Sequence, residues 1–423
     1  MASPLRILAI EPYFGGAHAE FLEGLRAASR HEWTLLTMPA KRWRWRMHGG
    51  AIHLSREAER LAAGLSPEAT RLGRGGRAPE PSARPDPASH KATPGQDKPA
   101  VAHAASFSRD PKGSGKPFDL IFASDFLNLA QFRALAPPEI GRLPAITYFH
   151  ENQLSFPLEP GQRRDPQFAF INLSTALASQ EVWFNSAFHR DAWHAALRAL
   201  LSKMPDFVPQ GLEDGLLAKS RVMPPGMDLI GPFAAGRKRP RGRPPLTILW
   251  NHRWEFDKNP EAFFEVLFFL AQEDVPFRLA VVGEATRKWP PVFDRARKVL
   301  ADRMVRFGYI PDRETYRAVV RQSDIVVSTA LHEFFAMPVV EAVAAGCFPL
   351  VPARLSYPEI IPPAWQETFF YATERDLRIK LTALLKGKGP WDRAHQLAEH
   401  VERYDWRNMI RTYDDALARA AGG

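Results

Sequence analysis

From Leu5 onward, short unbroken apolar runs alternate with longer stretches whose apolar positions recur with helical spacing. The runs starting at Leu5, and FDLIFASD at 118–125, AITYFHEN at 145–152 and EVWFNS at 181–186, each end in polar residues. Such runs predict strands of a parallel sheet covered on both faces. The pattern restarts after residue 245, where LTILWNHR, FRLAVVGE, MVRFGYI, SDIVVST and GCFPLVP read as five further strands, each followed by a helix or a loop. Strand and helix in alternation predict an α/β protein of two Rossmann-like, doubly wound lobes facing a cleft, with function at the carboxyl ends of the strands. The N-terminal lobe is expected over 1–230 and the C-terminal lobe over 246–404. The remainder, 405–423, reads as a helix of mixed polarity that packs back across the junction.

Composition adds two interruptions to this pattern. Residues 71–117 hold eight Pro and six Gly and no Trp, Tyr or Ile, too little apolar surface to offset ordering entropy, which predicts a disordered insertion within the first lobe. The stretch GPFAAGRKRPRGRPP at 231–245 reads as the linker between lobes. Lys and Arg exceed Asp and Glu by 56 to 47, which favours polyanionic partners without choosing among nucleic acid, nucleotides and anionic lipid. The single cysteine, Cys347, lies in an apolar run and has no partner for an internal disulfide, so a reducing, cytoplasmic compartment fits. No run of 18 apolar residues occurs, and no membrane span is expected.

Three constellations carry candidate chemistry. STALHEFFAMPVVEAVAAGCFPLV, 328–351, combines a strand end, two glutamates eight positions apart, Pro338 in a helical first turn and Gly346 at its stop. A helix over 337–345 follows. Its first N–H groups, with those of Phe335, Ala336 and Met337, are suited to a diphosphate. Glu333, before the helix, and Glu341, expected in its first turn, are acceptors suited to sugar and ribose hydroxyls, although either alone reads equally as a surface glutamate favoured by the helix dipole. In WNHRWEFDKNPEAF, 250–263, Arg253 and Lys258 leave a strand end before a helix capped by Asn259, a pair able to neutralise a pyrophosphate. In PYFGGAHAEF, 12–21, Gly15 and Gly16 allow the backbone close to a phosphate or sugar, or simply form a tight turn. No D-x-D sequence is present, so no metal is expected to hold the diphosphate.

The Glu333 to Glu341 unit, preceded by SDIVVSTALH and followed by EAVAAG, resembles the E-x7-E signature of retaining glycosyltransferases with two Rossmann-like lobes, the GT-B type. Arg253 and Lys258 match that class's diphosphate pair, GYIPDRETYRAVVRQSDIVVS its base loop with Tyr309 and Ile310, and Gly15-Gly16 its N-lobe glycine loop. Ala336 stands where a glycine is usual. ILAIEPYFGGAHAEFLEGL, TLLTMPAKRWRWRMH, FASDFLNLAQF and YFHENQLSFP are similar to the tRNA-queuosine mannosyltransferase family. That resemblance implies mannose transfer from GDP-mannose, without a cofactor, to the cyclopentene-diol of queuosine in a tRNA anticodon. It also implies that His150 is the active-site histidine, and that His150, Arg253, Lys258 and Glu333 carry catalysis.

The acceptor side agrees with an RNA partner. Lys41, Arg42, Arg44 and Arg46 interleave with Trp43 and Trp45, phosphate-neutralising cations beside stacking rings, and on a strand the two tryptophans would share a face. The alternative is a core tryptophan pair with a solvated charged edge. Asp125 and Asn128 are candidate contacts to acceptor hydroxyls, with a capping role equally open to both, and Glu151 and Asn152 beside His150 are further candidates, with a plain turn as the alternative for these three. A transferase with a lipid or glycan acceptor, and a noncatalytic RNA-binding protein of the same fold, remain as rivals. The sequence leaves the oligomeric state undetermined.

Overall fold

The computed structural model describes residues 3–65, 117–159, 161–233, 244–285 and 289–422, so the predicted insertion, except Pro117, and most of the linker lie outside the described residues. Six strands form the first sheet: β1 Arg6–Phe14, β2 Glu32–Pro39, β3 Leu120–Ser124, β4 Ala145–Phe149, β5 Glu181–Phe184 and β6 Ser220–Val222. They run parallel in the order β2-β1-β3-β4-β5-β6. The second sheet holds β7 Leu246–Trp250, β8 Phe277–Val282, β9 Met304–Gly308, β10 Ile325–Val327, β11 Phe348–Pro352 and β12 Phe370–Tyr371, parallel in the order β12-β11-β10-β7-β8-β9. The sixth strand, β12, is two residues long and leaves no readable period in the sequence.

The strand orders decide where the chemistry sits. In a doubly wound sheet the crossover helices leave by opposite faces where the order reverses, opening a crevice at the carboxyl ends of the two strands there. In the first sheet that point lies between β1 and β3, and in the second between β7 and β10. The carboxyl ends of these four strands and the turns after them hold Glu11 to Gly16, Asp125 to Asn128, Asn251 to Lys258 and Ser328 to Ala336.

The strand on which Trp43 and Trp45 would share a face does not form. KRWRWR is not a strand: a helix runs Trp43–Ala62 after Arg42, whose φ of 54° breaks the chain away from β2. Its buried positions Met47, Ala51, Leu54, Ala58 and Leu61 keep helical period against the sheet, and this stripe outweighs the short alternation at its start. At about 100° per residue, Trp43 and Trp45 diverge by more than a right angle instead of sharing a face. Trp43 packs on Phe168 at 4.9 Å, whereas Trp45 is 62% exposed.

The helix Trp406–Gly422 leaves the second lobe and packs on the first, against the helix Gly16–Ala28 and strands β3 and β4. The return is pinned at Asp405, whose carboxylate accepts from the N–H groups of Leu229 and Ile230 at 2.9 and 2.8 Å, where the chain first leaves the lobe. Trp406 then lies between two glycines: a Cβ on Gly24 would meet its indole at 2.1 Å and one on Gly226 at 2.3 Å. The Tyr413 hydroxyl donates to the carbonyl of Pro224 at 2.8 Å, closing the seam. Overpacking such a contact costs about 1 to 3 kcal/mol, so Gly226→Ala is expected to lower the melting temperature by several degrees; an unchanged thermal melt would show that the indole moves without penalty.

Candidate active site

On the C-lobe the site begins with a glycine. Gly283, at the end of β8 with φ 155°, lies so close to the loop after β7 that a Cβ would stand 1.8 Å from the carbonyl oxygen of His252. That contact holds the Asn251 to Lys258 loop down at the crevice. Lys258 is 7% exposed, its Nζ 3.0 Å from Asp257 Oδ2, 3.2 Å from Glu333 Oε2 and 2.8 Å from the carbonyl of His332. Burial opposes the ammonium, but Glu333 and Asp257 raise its pKa. Burial likewise opposes the Glu333 carboxylate, and Lys258, with His252, brings it down to about 2. Both are therefore ionised at neutral pH. Arg253 keeps a half-exposed side chain, 3.3 Å from Glu255, and its pKa is raised by Glu255 and by Glu151 from the opposite lobe, against the opposing effect of burial. It is the cation of this group most available to a ligand.

The helix predicted at 337–345 is observed at Met337–Ala344. Ala336 caps it in the left-handed region, φ 61° and ψ 44°, the conformation that makes glycine usual there, and no side chain caps the helix. The expectation that Glu341 lies in the first turn fails: two residues of the first turn, Met337 and Pro338, precede Val339 and Val340, and Glu341 follows in the second turn. Its carboxylate is 7% exposed, accepts from the Tyr316 hydroxyl at 2.9 Å and lies 3.5 Å from Arg313. Burial, then Glu20, push its pKa up to about 7, against the pull of Arg313. Asn251 donates to the Pro338 carbonyl at 2.8 Å and to Tyr316 at 3.2 Å, tying the end of β7 to this helix. Tyr309 is 61% exposed beside the buried Ile310 at the end of β9.

On the N-lobe, Gly15 is required because a Cβ would lie 2.5 Å from that of Ala40, and Gly16 has φ 52°. The turn admits His18, whose Nδ1 is 3.1 Å from Glu11 Oε2. Burial works against protonation of His18, but the Glu11 carboxylate pushes its pKa up to about 9. Its ring lies 4.0 Å from that of His150, which burial, then His18 and His189, hold neutral. Glu11, His18 and His150 offer ligand atoms within 4.8 Å of one another, the group among the described residues with metal-ligand spacing. As it stands the group is a His18–Glu11 ion pair beside a neutral His150. Asp125, 1% exposed and raised well above the usual carboxylate range by burial, accepts from the His150 N–H at 2.9 Å.

Of the other predicted acceptor residues, Glu151 accepts from the Gln153 amide at 3.0 Å and feels Arg253 across the cleft. Asn152 is wholly buried, its oxygen accepting from the N–H groups of Leu154 and Ser155, and Asn128 accepts from the Gln131 N–H as a helix cap. These two build turns and helix starts and offer little to an acceptor. Lys41, Arg42, Arg44 and Trp45 are exposed at the start of the Trp43–Ala62 helix, while Arg46 donates to the Pro39 carbonyl. Asp257, Asn251, Tyr316, Arg313, Glu11 and His18 were not singled out from the sequence. Asp257 and His18 had a signal in their adjacency to Lys258 and to the glycine pair; Tyr316 and Arg313 had none, since only tertiary contact brings them to Glu341.

Two parallel α/β lobes with cations, an ion-paired glutamate and an uncapped helix start at a shared crevice define a nucleotide-sugar glycosyltransferase of the two-lobed class. Among solved structures the chain is similar to the Anabaena protein HepE in complex with UDP, at 13% identity and TM-score 0.61 over 98% of this chain and 100% of that one. It is also similar to sucrose-phosphate synthase from Thermosynechococcus elongatus, at 13% identity and TM-score 0.59 over 98% of each chain. Residues 237–403 match the family model described as glycosyl transferases group 1, and residues 6–65 and 99–227 that described as tRNA-queuosine alpha-mannosyltransferase N-terminal. The tRNA-queuosine alpha-mannosyltransferase of Drosophila melanogaster is 29% identical over 366 residues, 84% of this chain and 81% of that protein. A GDP-mannose:cellobiosyl-diphosphopolyprenol alpha-mannosyltransferase of Xanthomonas campestris is 26% identical over 60% of this chain and 66% of that protein. The chain belongs to the tRNA-queuosine alpha-mannosyltransferase family.

Glu341 gives a pH test. Native protein holds its proton to about 7, whereas the unfolded chain releases it near the ordinary value of 4.5, so the native state binds more protons between these limits. Stability therefore falls as pH rises from about 4.5 to 7. Glu341→Gln is expected to melt with a smaller difference between pH 5 and pH 8 than the native protein; an equal difference would place the titration elsewhere.

Proposed function

We propose that the protein transfers mannose from GDP-mannose to the cyclopentene-diol of queuosine in a tRNA anticodon, with retention at the anomeric carbon. One observation carries the reading: Arg253, Lys258 and the start of the Met337–Ala344 helix converge on one crevice, across from His18, His150 and Asp125 in the lobe that matches the queuosine family. The Arg253 fork and the free N–H groups of Phe335, Ala336 and Met337 receive the diphosphate, and no metal is needed to supply positive field there. Glu341 and Tyr316 take the ribose hydroxyls. Glu333, fixed by Lys258, accepts from a sugar hydroxyl, which leaves it a positioning group rather than a nucleophile. The acceptor hydroxyl then attacks on the face that the diphosphate leaves, and its proton passes to the departing phosphate. Neutral His150 orients the sugar.

Transfer of label from GDP-mannose to tRNA that contains queuosine, and not to the same tRNA without it, is the direct test. Label on both tRNAs, or on a lipid or glycan alone, would refute the acceptor. Because Arg253 is half-exposed, Arg253→Ala is expected to fold with an unchanged melt and to lose about 2 to 4 kcal/mol of transition-state stabilisation, read as a fall in kcat. Lys258→Ala is a poorer probe, since it strands two buried carboxylates.

The acceptor tRNA is proposed to dock on Lys41, Arg42, Arg44 and Trp45. Changing Lys41, Arg42 and Arg44 to Gln is expected to weaken tRNA binding and flatten its log affinity against log salt by up to about one unit per lost phosphate contact, with GDP binding intact. An unchanged slope in a salt titration would move the docking surface elsewhere.

A further inference from the structure

The donor loop touches the opposite lobe through aromatic rings, and no role assigned above uses that contact. Phe334 follows Glu333 directly and stacks on His189 of the N-lobe, ring centroids 3.7 Å apart at 22°. His189 is wholly buried, and its Nδ1 is 2.8 Å from Asn185 Oδ1. Burial, then the neighbouring His332, hold His189 neutral, so Nδ1–H donates to that oxygen. Asn185 in turn donates from Nδ2 to the carbonyl of His150 at 2.9 Å. The path from Glu333 to His150 thus runs through one covalent neighbour, one ring stack and two hydrogen bonds. Its N-lobe end is held from the C-lobe as well: Glu359 accepts from the N–H groups of Ala187 and Phe188 at 2.8 and 2.7 Å, at the start of the Ala187–Leu201 helix that carries His189. Beside the stack, His332 lies 4.2 Å from Phe334 and 4.9 Å from Phe156 of the N-lobe, while its carbonyl accepts from Lys258.

We propose that Phe334 and His189 are a positioning pair that couples occupancy of the donor loop in one lobe to the placement of His150 in the other. This goes beyond the proposed function but rests on its assignment of Lys258 and Glu333 to the donor. The physical ground is that packed rings shift together, whereas a solvent-filled cleft transmits nothing. A nucleoside diphosphate that draws the Glu333 to Ala336 turn toward itself moves Phe334, and the buried ring of His189 follows because it has no free volume in which to lag. Asn185 then resets the His150 backbone, which Asp125 also grips from the N–H side.

The test separates the two links in the full chain. Phe334→Leu removes the ring stack and leaves the Asn185 bond; His189→Phe keeps a stacking ring and removes that bond. Both are apolar replacements of similar shape and are expected to melt within a few degrees of the native protein. The first readout is the His150 imidazole resonance titrated with GDP, and in parallel with UDP: it shifts in the native protein and loses that shift in either variant, while the GDP dissociation constant stays within about twofold. The second is transfer kinetics, where kcat falls tenfold to a hundredfold with little change in the KM for GDP-mannose, as about 1 Å of misplacement produces. The double variant is expected to lose no more than the worse single one, the non-additivity of residues on one path. Full additivity, a nucleotide-driven shift that survives both variants, or no shift in the native protein would each overturn the coupling. A native protein that shifts with GDP but glycosylates no queuosine tRNA would refute the acceptor and leave the coupling standing.

Discussion

The ammonium of Lys258 is the constraint on which the rest of the site depends. A buried charge costs several kcal/mol unless partners replace its water, and here Asp257, Glu333 and the His332 carbonyl do so. Those partners come from the loops after β7 and β10, which only the strand order makes neighbours. Further bonds lace the same loops: the Asp257 carbonyl accepts from Leu331 at 2.8 Å, and the Thr329 hydroxyl lies 2.9 Å from the carbonyls of both Lys258 and Asn259. Arg253, half-exposed and 3.3 Å from Glu255, is the cation of this group that faces solvent.

The two sides of the cleft use charge in opposite ways. On the C-lobe an ion pair fixes a carboxylate in its ionised form, while on the N-lobe Glu11 fixes His18 as a cation, and burial, then His18, keeps His150 neutral. Burial and neighbouring charge together therefore give the two adjacent histidines different charge states near neutral pH. Glu341 is the exception near neutrality, because its carboxylate is buried with a second acid, Glu20, nearby, and Arg313, Tyr316 and Arg317 compensate only in part.

Holding two lobes in register asks for more than a linker. Asp405 binds the two chain crossings to each other, and Trp406 seats the last helix on the first lobe, so the C-terminal segment belongs to the N-terminal core. Glu359, Phe334 and Arg313 then reach across the crevice to the helix Ala187–Leu201, to His189 and to Glu20. Among the described residues, no helix is long and apolar enough to cross a membrane.

Fold class and much of the donor site were legible in the sequence because both rest on local signals. Doubly covered strands need continuous apolar runs, and Asn259-Pro260 and the start at Pro338 mark helix ends by backbone chemistry that acts within a few residues. The segment 41–46 left its element open because a six-residue alternation is also compatible with the first turn of a helix, and only the buried stripe from Met47 to Leu61 against the sheet decides between them. The helix starts at Met337 as expected, and Glu341, its fifth residue, falls in the second turn because a turn holds about 3.6 residues. The charge states of His18, Glu333 and Glu341 and the His189 to Phe334 stack were fixed by the tertiary structure alone. Each depends on groups far apart in the chain or on burial, and both arise only when the strand order sets which loops meet.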